Sequence, residues 1–534
     1  MDCGIDFGTT FSTLCFSPGR KVEGCVEESE SVYIPTAVGV RKDMSFCIGR
    51  AAIADPEVDL YRDIKRWVGC NHLNEKYYRK KLKPTYKVVV KGMNVSLGPV
   101  RGREDRLIGV VDLIYIFIKG LVTLAFRQTT LNCKLCTCSV PADYNSYKRS
   151  YVFEACDALG IGVQAVVNEP TAAGLSSFVE LGKQEAPWLL VYDFGGGTFD
   201  VSMLATSKGS LCVRDSLGDN YLGGRDVDNA VRHFIAQKTG VDIELIDPFS
   251  MEDVKIRVCS NEPKEVHSIL LTDGRVQQVI LTYEELRNIC KPFVRRAARL
   301  VEKVIKRNKA PSVAVVLIGG SCVLPGVRES VASISGVFHV VFSKDTYRGA
   351  VAIGAALYAQ SFTQDTRFRL LDCASATLSD ERRPIRAIVV LPKGHPIPTK
   401  LESDFKVPDY PTAIVLHEGE SPVISWNERT FSADVPKGMF PARSTQKMVM
   451  KISEDGRLEV TLGGKVLKNL MVIAPVSNDA KRNLRFRDFG DKHRGEMVQR
   501  YQKAWASSGF PRVLTLQASE RNRVYQEQLK GDGF

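Results

Sequence analysis

No stretch of the chain fits G-x-x-x-x-G-K-[ST], which excludes a P-loop nucleotide site. No apolar run is both long and uninterrupted. The most apolar window, Ile108–Phe126, is broken by Asp112 and Lys119. A charge at the bilayer centre costs about 2.5–3.5 kcal/mol on insertion scales. A buried helix is therefore expected and no transmembrane helix, with peripheral membrane association left open. Asp2 and Asp6 fall where a secretory leader would be basic and then apolar, so secretion is not expected. There is no arginine-rich arm and no aromatic–basic alternation of the kind that grips single-stranded nucleic acid. The 14 cysteines are scattered, which fits a reduced, cytosolic-type setting. Cys133, Cys136 and Cys138 crowd into Leu131–Val140, yet no Cys or His pair follows at finger spacing. Core cysteines of a buried strand are expected there rather than zinc ligands. His395 and His417 stand alone in strand contexts and read as structural.

What is present is ordinary globular protein. The length of 534 residues suggests about three or four domains. Apolar residues at 44% and charged ones at 25% give enough of each for packed cores and a soluble surface. The net charge of +12 is compatible with RNA, an acidic membrane or an acidic partner, but solubility alone accounts for it.

The chemistry begins at Val191–Val201, Val-Tyr-Asp-Phe-Gly-Gly-Gly-Thr-Phe-Asp-Val. Apolar residues lead up to Asp193 as in a buried strand. Gly195, Gly196 and Gly197 then allow a tight turn that exposes backbone N–H groups, and Thr198 adds a hydroxyl. Backbone donors suit phosphate oxygens, and a carboxylate suits Mg²⁺ held directly or through water. A glycine-rich hairpin with an incidental aspartate is the plain alternative for this stretch alone. The pattern recurs at Gly4–Phe11, where Asp6-Phe7-Gly8-Thr9-Thr10-Phe11 repeats Asp-Phe-Gly followed by Thr-Phe. Two such hairpins suggest two similar halves facing one nucleotide, each giving a phosphate loop and a carboxylate.

Along the chain, residues 1–50 read as a meander of strands and 105–127 as a helix. Lys65 lies in an apolar–basic stretch, where a surface lysine is the plain reading. Lys148–Leu159 is a helix closed by Gly160. Val163–Asn168 is a strand, and Glu169-Pro170 opens the next helix with proline at its favoured first turn. Glu169 thus sits at a strand–helix junction, where open α/β sheets carry ligand groups. Gly218–Asp226 is a further glycine-rich turn, and 249–260 a short helix. Thr282-Tyr283-Glu284-Glu285 is a capping box ahead of a helix with Leu286, Ile289, Phe293, Ala297, Leu300 and Val304 on one face. Val313–Ile318 is an apolar strand ending in Gly319-Gly320-Ser321. Gly349–Ala359 is a helix of small residues suited to close packing.

In this order the segments resemble the actin-like ATPase superfamily and, within it, the 70-kDa heat-shock chaperone family. The motifs that carry the resemblance are Ile5–Thr10, Val140-Pro141-Ala142, Asn168–Ala173, Asp193–Asp200, Leu222-Gly223-Gly224, Gly319-Gly320-Ser321 and Gly354-Ala355-Ala356. They cover residues 1–420, and more loosely the chain to 475. Phe7, Phe194 and Asp143-Tyr144-Asn145 look like the homologues of this family encoded by closteroviruses, filamentous plant RNA viruses. The fold implied is α/β: a two-lobed actin-like ATPase domain of duplicated mixed sheets over 1–366, a linker over 367–372, a β-sandwich over 373–475 and a short, basic, partly helical segment over 476–534.

The resemblance also implies roles. ATP and Mg²⁺ are the implied cofactors, and slow ATP hydrolysis the implied reaction. Gly8, Thr9 and Thr10 would line one phosphate loop, and Gly195, Gly196, Gly197 and Thr198 the other. Asp6 and Asp193 would hold hydrated Mg²⁺. Lys65 matches the lysine that positions the attacking water, which overturns the surface reading. Glu169 matches the carboxylate that organises that water, with Asp200 in support. Gly223, Gly224, Glu252, Lys255, Gly319, Gly320 and Ser321 would hold the rest of the nucleotide. Ile256 and Val323 replace the two arginines that stack on the adenine in the family, so weaker or less selective base binding is expected. The linker, Thr366–Asp372, is shorter in apolar reach than the family's and carries Arg367 and Arg369.

Several expectations follow from the resemblance for the whole protein. One is a chaperone-type ATPase redirected to virion-tail assembly and cell-to-cell movement in the host cytoplasm and at plasmodesmata. Its partners would be viral coat and other virion-tail proteins and host movement or cytoskeletal factors. A general folding chaperone and a structural virion component stay open as alternatives, as does RNA contact through the basic tail.

Overall fold

The computed structural model describes residues 2–17, 24–28, 31–129, 132–142, 144–181, 188–207, 210–260, 266–342, 347, 349–362, 369–374, 376–381 and 387–486. Asp143, Arg367, Phe368 and residues 487–534 of the basic, partly helical segment lie outside the described residues.

The repeated Asp-Phe-Gly motif is repeated in space. Strand Asp2–Asp6 pairs antiparallel with Phe11–Ser17, and parallel with Leu135–Val140, which pairs parallel with Gly162–Asn168. In the second sheet, Trp188–Phe194 pairs antiparallel with Phe199–Ser207 and parallel with Val313–Ile318. Each sheet thus carries one glycine-turn hairpin beside parallel strands, and each hairpin's first strand has an aspartate at its end or one residue before it. Val313–Ile318 is buried at every residue, as a continuous apolar run requires of a strand covered on both faces.

Two helices cross between the sheets. Helix Glu169–Leu181 leaves the last strand of the first lobe, and Ala350–Ser361 packs against it. The approach explains the small residues. A Cβ on Gly354 would meet the Ala172 carbonyl oxygen at 1.7 Å, and one on Gly4 would meet that of Ala352 at 2.3 Å. The capping box is present: Glu285 N–H donates to Thr282 Oγ1 and Thr282 N–H to the Glu285 carboxylate. The helix it opens, Tyr283–Asn308, buries Leu286, Ala297 and Val304 as its periodicity predicts.

Residues 378–466 form two four-stranded sheets around a shared core of Leu378, Leu416, Phe431, Met448, Met450 and Val460. Strand Arg369–Cys373 precedes them. It pairs parallel with Ser210–Asp219, adding a strand to the second lobe's sheet.

The apolar helix is Val110–Thr129, buried in the first lobe. Among the described residues no helix is long and apolar enough to cross a membrane. Two cysteine expectations change. Cys15 and Cys25 sit opposite each other on antiparallel strands and are joined by a disulfide, against the expectation of thiols alone. Cys136 and Cys138 are core residues as expected, but they meet Cys156 from helix Ser146–Ala158 at 3.9 and 4.0 Å between sulfurs. A partner supplied by a helix has no finger spacing to betray it.

Candidate functional site

Both glycine turns open into one cavity of about 370 Å³ between the lobes. Asp6, Lys65, Glu169 and Asp193 form its polar floor. Each is put there by a strand end or the turn after it. Asp6 is the last residue of one hairpin's first strand, and Asp193 the last but one of the other's. Glu169 follows the strand Gly162–Asn168. Lys65 is on a short 3₁₀ turn, Ile64–Trp67, entered through Asp63 in the left-handed region at φ 57°. The Lys65 ammonium is ion-paired with the Glu169 carboxylate, and both are buried. Ser139 Oγ donates to Asp6 Oδ1 at 3.0 Å.

The electrostatics are those of crowded carboxylates. Burial, and then the neighbouring Glu169, push Asp6 up to about 7, while Lys65 and the Ser139 hydroxyl pull the other way. Burial, Glu169 and Asp6 push Asp193 well above the usual carboxylate range. Three acids around one lysine are short of positive charge. Thr10 Oγ1 is also buried with no hydrogen-bond partner. A divalent cation near Asp6 and Asp193, with anionic oxygens beside the turns, would satisfy both deficits. The residues present fit Mg²⁺ carried on a phosphate.

The glycines are demanded by the opposing loop. A Cβ on Gly196 would lie 2.0 Å from Thr10 Oγ1, and one on Gly197 2.7 Å from that of Thr9. Gly223 packs in turn on Gly197. Gly195 N–H donates to the Thr198 carbonyl at 3.0 Å, closing the turn. Its own carbonyl receives Ser321 Oγ at 2.9 Å and Gly224 N–H at 3.1 Å. Gly319, at φ 84°, lies against Phe194 and Asp193, a place where no side chain fits.

Gly8, Thr9, Thr10, Thr198, Gly224, Glu252, Lys255, Gly319, Gly320 and Ser321 all line the cavity. Gly197, Gly223 and Asp200 stand behind its wall, and Asp200 faces Asp193 across the hairpin. Glu252 and Lys255 come from helix Ser250–Cys259. Lys255 Nζ reaches Asp228 at 2.7 Å and the Gly224 carbonyl at 3.1 Å. Burial opposes ionisation of Glu252, but Arg62, Arg225 and Lys255 overcome it and lower its pKa. Ile256 and Val323 do line the cavity, as do the apolar Leu324 and Phe342.

Two connections were not legible in the motifs. Arg62 of the first lobe and Arg225 of the second both lie over the Phe249 ring, at 4.1 and 3.9 Å from its centroid. Arg62 also donates to Glu252 at 2.8 Å, and Arg225 pairs with Asp63 at 3.2 Å, so the cleft is bridged by charge. Secondly, Asn168 Nδ2 donates to both oxygens of Asp372, at 3.1 and 2.9 Å. Its own Oδ1 accepts from Arg149, which donates in turn to the Tyr144 carbonyl. The Tyr144 hydroxyl reaches the Lys65 carbonyl at 3.4 Å. A hydrogen-bonded path therefore joins the interdomain strand to the lysine of the site.

Duplicated hairpin sheets, helices crossing between them and a cleft where both glycine turns meet define an actin-like ATPase fold. Within that class the chain belongs to the Hsp70 family, whose family model, described as Hsp70 protein, matches residues 2–464. It is 37% identical over 489 residues to the movement protein Hsp70h of Grapevine leafroll-associated virus 3, covering 90% of this chain and 88% of that protein. It is 33% identical over 461 residues to the movement protein Hsp70h of Beet yellows virus, covering 82% and 76%. The chaperone protein DnaK of Thermus thermophilus is more distant, at 27% over 463 residues, covering 80% and 72%.

Proposed function

We propose that the chain binds ATP with Mg²⁺ between its lobes, hydrolyses it slowly, and uses the cycle in assembly of a filamentous virion tail and in cell-to-cell movement. The observation that carries the catalytic part is the buried Lys65–Glu169 pair facing Asp6 and Asp193 across one cavity. The names of the viral relatives support the movement part. Membership of Hsp70 supports nucleotide binding.

In this reading the two glycine turns hold the phosphates through backbone N–H groups and through Thr9, Thr10 and Thr198. Asp6 and Asp193 would hold Mg²⁺, which would supply neutralisation of phosphate charge. Lys65, fixed by Glu169, orients the attacking water, and Glu169 accepts a hydrogen bond from it. Positioning and charge neutralisation carry phosphoryl transfer, so no covalent intermediate is needed. The adenine rests on Ile256 and Val323 rather than between guanidinium groups.

The division proposed is a nucleotide-binding unit over 1–366, a linker over 367–372, a β-sandwich over 373–475 and a C-terminal segment over 476–534. Coat and other tail proteins, with host movement factors, are the proposed partners in the host cytoplasm and at plasmodesmata. The test is Mg²⁺-dependent ATP hydrolysis by the purified chain and by Asp193→Ala. The variant is expected to lose nearly all activity; equal rates in both would remove the assigned site.

A further inference from the structure

The two charges that interrupt the apolar helix find their hydrogen-bond partners 365 residues away. Asp112 Oδ1 accepts from the Ser477 N–H at 2.8 Å. Lys119 Nζ donates to the Leu484 carbonyl at 3.0 Å. Both partners belong to a segment that leaves the β-sheet pair and runs back over the first lobe.

This segment is built into the lobe. Met471, Ile473, Val476, Ala480 and Leu484 are all buried in the same core as helix Val110–Thr129. Its backbone is held by lobe side chains: Ala474 N–H donates to Asn94 Oδ1, and Val476 N–H to Glu154 Oε1, each at 2.9 Å. A short helix, Asn478–Arg482, is capped by Ser477. Strand Arg485–Phe486 then pairs parallel with Ser45–Phe46, adding an edge to the lobe's small sheet. Phe486 closes the run against Phe46, with ring centroids 5.3 Å apart.

There is no slack where the segment leaves the sheet pair. Leu470 N–H is still bonded to the Ser432 carbonyl of the sheets at 2.7 Å, and the next side chain, Met471, is already in the lobe's core. The opposite end of the sheet pair is also tied, since Arg369–Cys373 is a strand of the second lobe's sheet. Between the two ends the sheet pair meets the lobe through side contacts: Lys148 pairs with Glu428 at 2.8 Å, Asn145 Nδ2 donates to Glu428 at 3.1 Å, Leu458 N–H donates to Ser146 Oγ at 3.2 Å, and the Arg457 guanidinium lies 4.4 Å from the Phe153 ring centroid. The apolar core of the sheet pair is separate from that of the lobe, whereas residues 471–484 share the lobe's own core.

We infer that residues 471–486 are a strap belonging to the first lobe, which keeps the β-sheet pair docked on that lobe whatever nucleotide the cleft contains. The sheet pair is then a fixed platform rather than a swinging arm. Nucleotide turnover acts within the lobes and at the interdomain strand, and does not release the platform.

Hydrogen exchange of the full chain tests this, without nucleotide, with MgADP, and with a non-hydrolysable Mg-ATP analogue. Peptides covering 474–486 and Leu458 are expected to stay protected within about twofold in all three states. Tenfold faster exchange of these peptides in any one state would overturn the proposal, as would their exchange at solvent rates without nucleotide. Peptides covering Gly195–Thr198 report nucleotide binding in the same spectra. If those never become protected, the nucleotide reading fails, while the nucleotide-free measurement still decides the strap. Leu484→Asp is expected to free the strap and make exchange at Leu458 at least tenfold faster. Phe486→Ala, at the strap's end, is the milder variant should Leu484→Asp not fold. It is expected to speed exchange at 485–486 at least tenfold, and unchanged protection there would count against the strap.

Discussion

Gly196→Ala tests the cleft most directly, because the structure fixes what the added atom meets. The new Cβ would lie 2.0 Å from Thr10 Oγ1 and 2.7 Å from Thr10 Cβ. Non-bonded carbon atoms settle about 3.5–4.0 Å apart, so the turns must part by on the order of 1 Å. The backbone at Gly196 is outside the left-handed region, so the close approach alone demands glycine. Overpacking of this kind costs about 1–3 kcal/mol of stability. A displacement of about 1 Å between groups that position a reacting phosphate costs roughly a hundredfold in rate. Steady-state ATP hydrolysis and thermal unfolding should therefore both fall. Thr10→Gly removes both atoms that the alanine would strike. In the double variant the stability loss should be recovered, with a coupling energy of about 0.5–3 kcal/mol, while hydrolysis stays low because Thr10 is gone. Wild-type rate and unfolding temperature in Gly196→Ala would refute the facing of the two turns.

Three other perturbations have outcomes set by single contacts. Ile256→Arg places a cation in the cavity wall where the chain has an apolar side chain. A cation–π contact of about 0.5–2 kcal/mol predicts roughly two- to thirtyfold tighter ATP binding by calorimetry, and no gain would deny that the adenine rests on Ile256. Asp372→Ala leaves the Asn168 amide without its carboxylate, at a cost of about 1–3 kcal/mol. Exchange of strand Arg369–Cys373 should quicken about tenfold or more, and unchanged exchange would mean that this pair does not hold the strand. Arg62→Ala removes the guanidinium that reaches Glu252 and Phe249 across the cleft. Hydrogen bonds to charged groups contribute about 1.5–3 kcal/mol, so a fluorescent ADP should leave at least tenfold faster in stopped flow; an unchanged rate would show that the bridge does not limit release.

How far the sequence could be read depended on the range over which each feature is determined. The hairpins were legible because a strand, a glycine turn and an aspartate are consecutive, and the second copy removed the ambiguity of the first. The capping box at Thr282 was legible for the same reason. Lys65 was not, since an apolar–basic stretch describes a surface lysine equally well; it took the family resemblance to single it out, and Glu169, its partner, is 104 residues away. Arg62, Phe249 and Arg225 come from three separated elements, and no local pattern brings them together. The disulfide was missed because Cys15 and Cys25 become neighbours only through strand register.

The helix Val110–Thr129 shows the same limit in its sharpest form. Asp112 and Lys119 were visible as interruptions, and the expectation of a buried helix rather than a membrane span needed nothing more. What they are for was invisible. Even a half-buried charge is costly unless hydrogen-bonded, so each of these residues states that a partner exists without saying where. Here both partners lie on the strap, on one segment and against one helix face. Two independent costs are thus met by a single stretch of chain. That coincidence argues that the helix and the strap form one structural unit, and that residues 471–486 complete the first lobe rather than trail from the sheets that precede them.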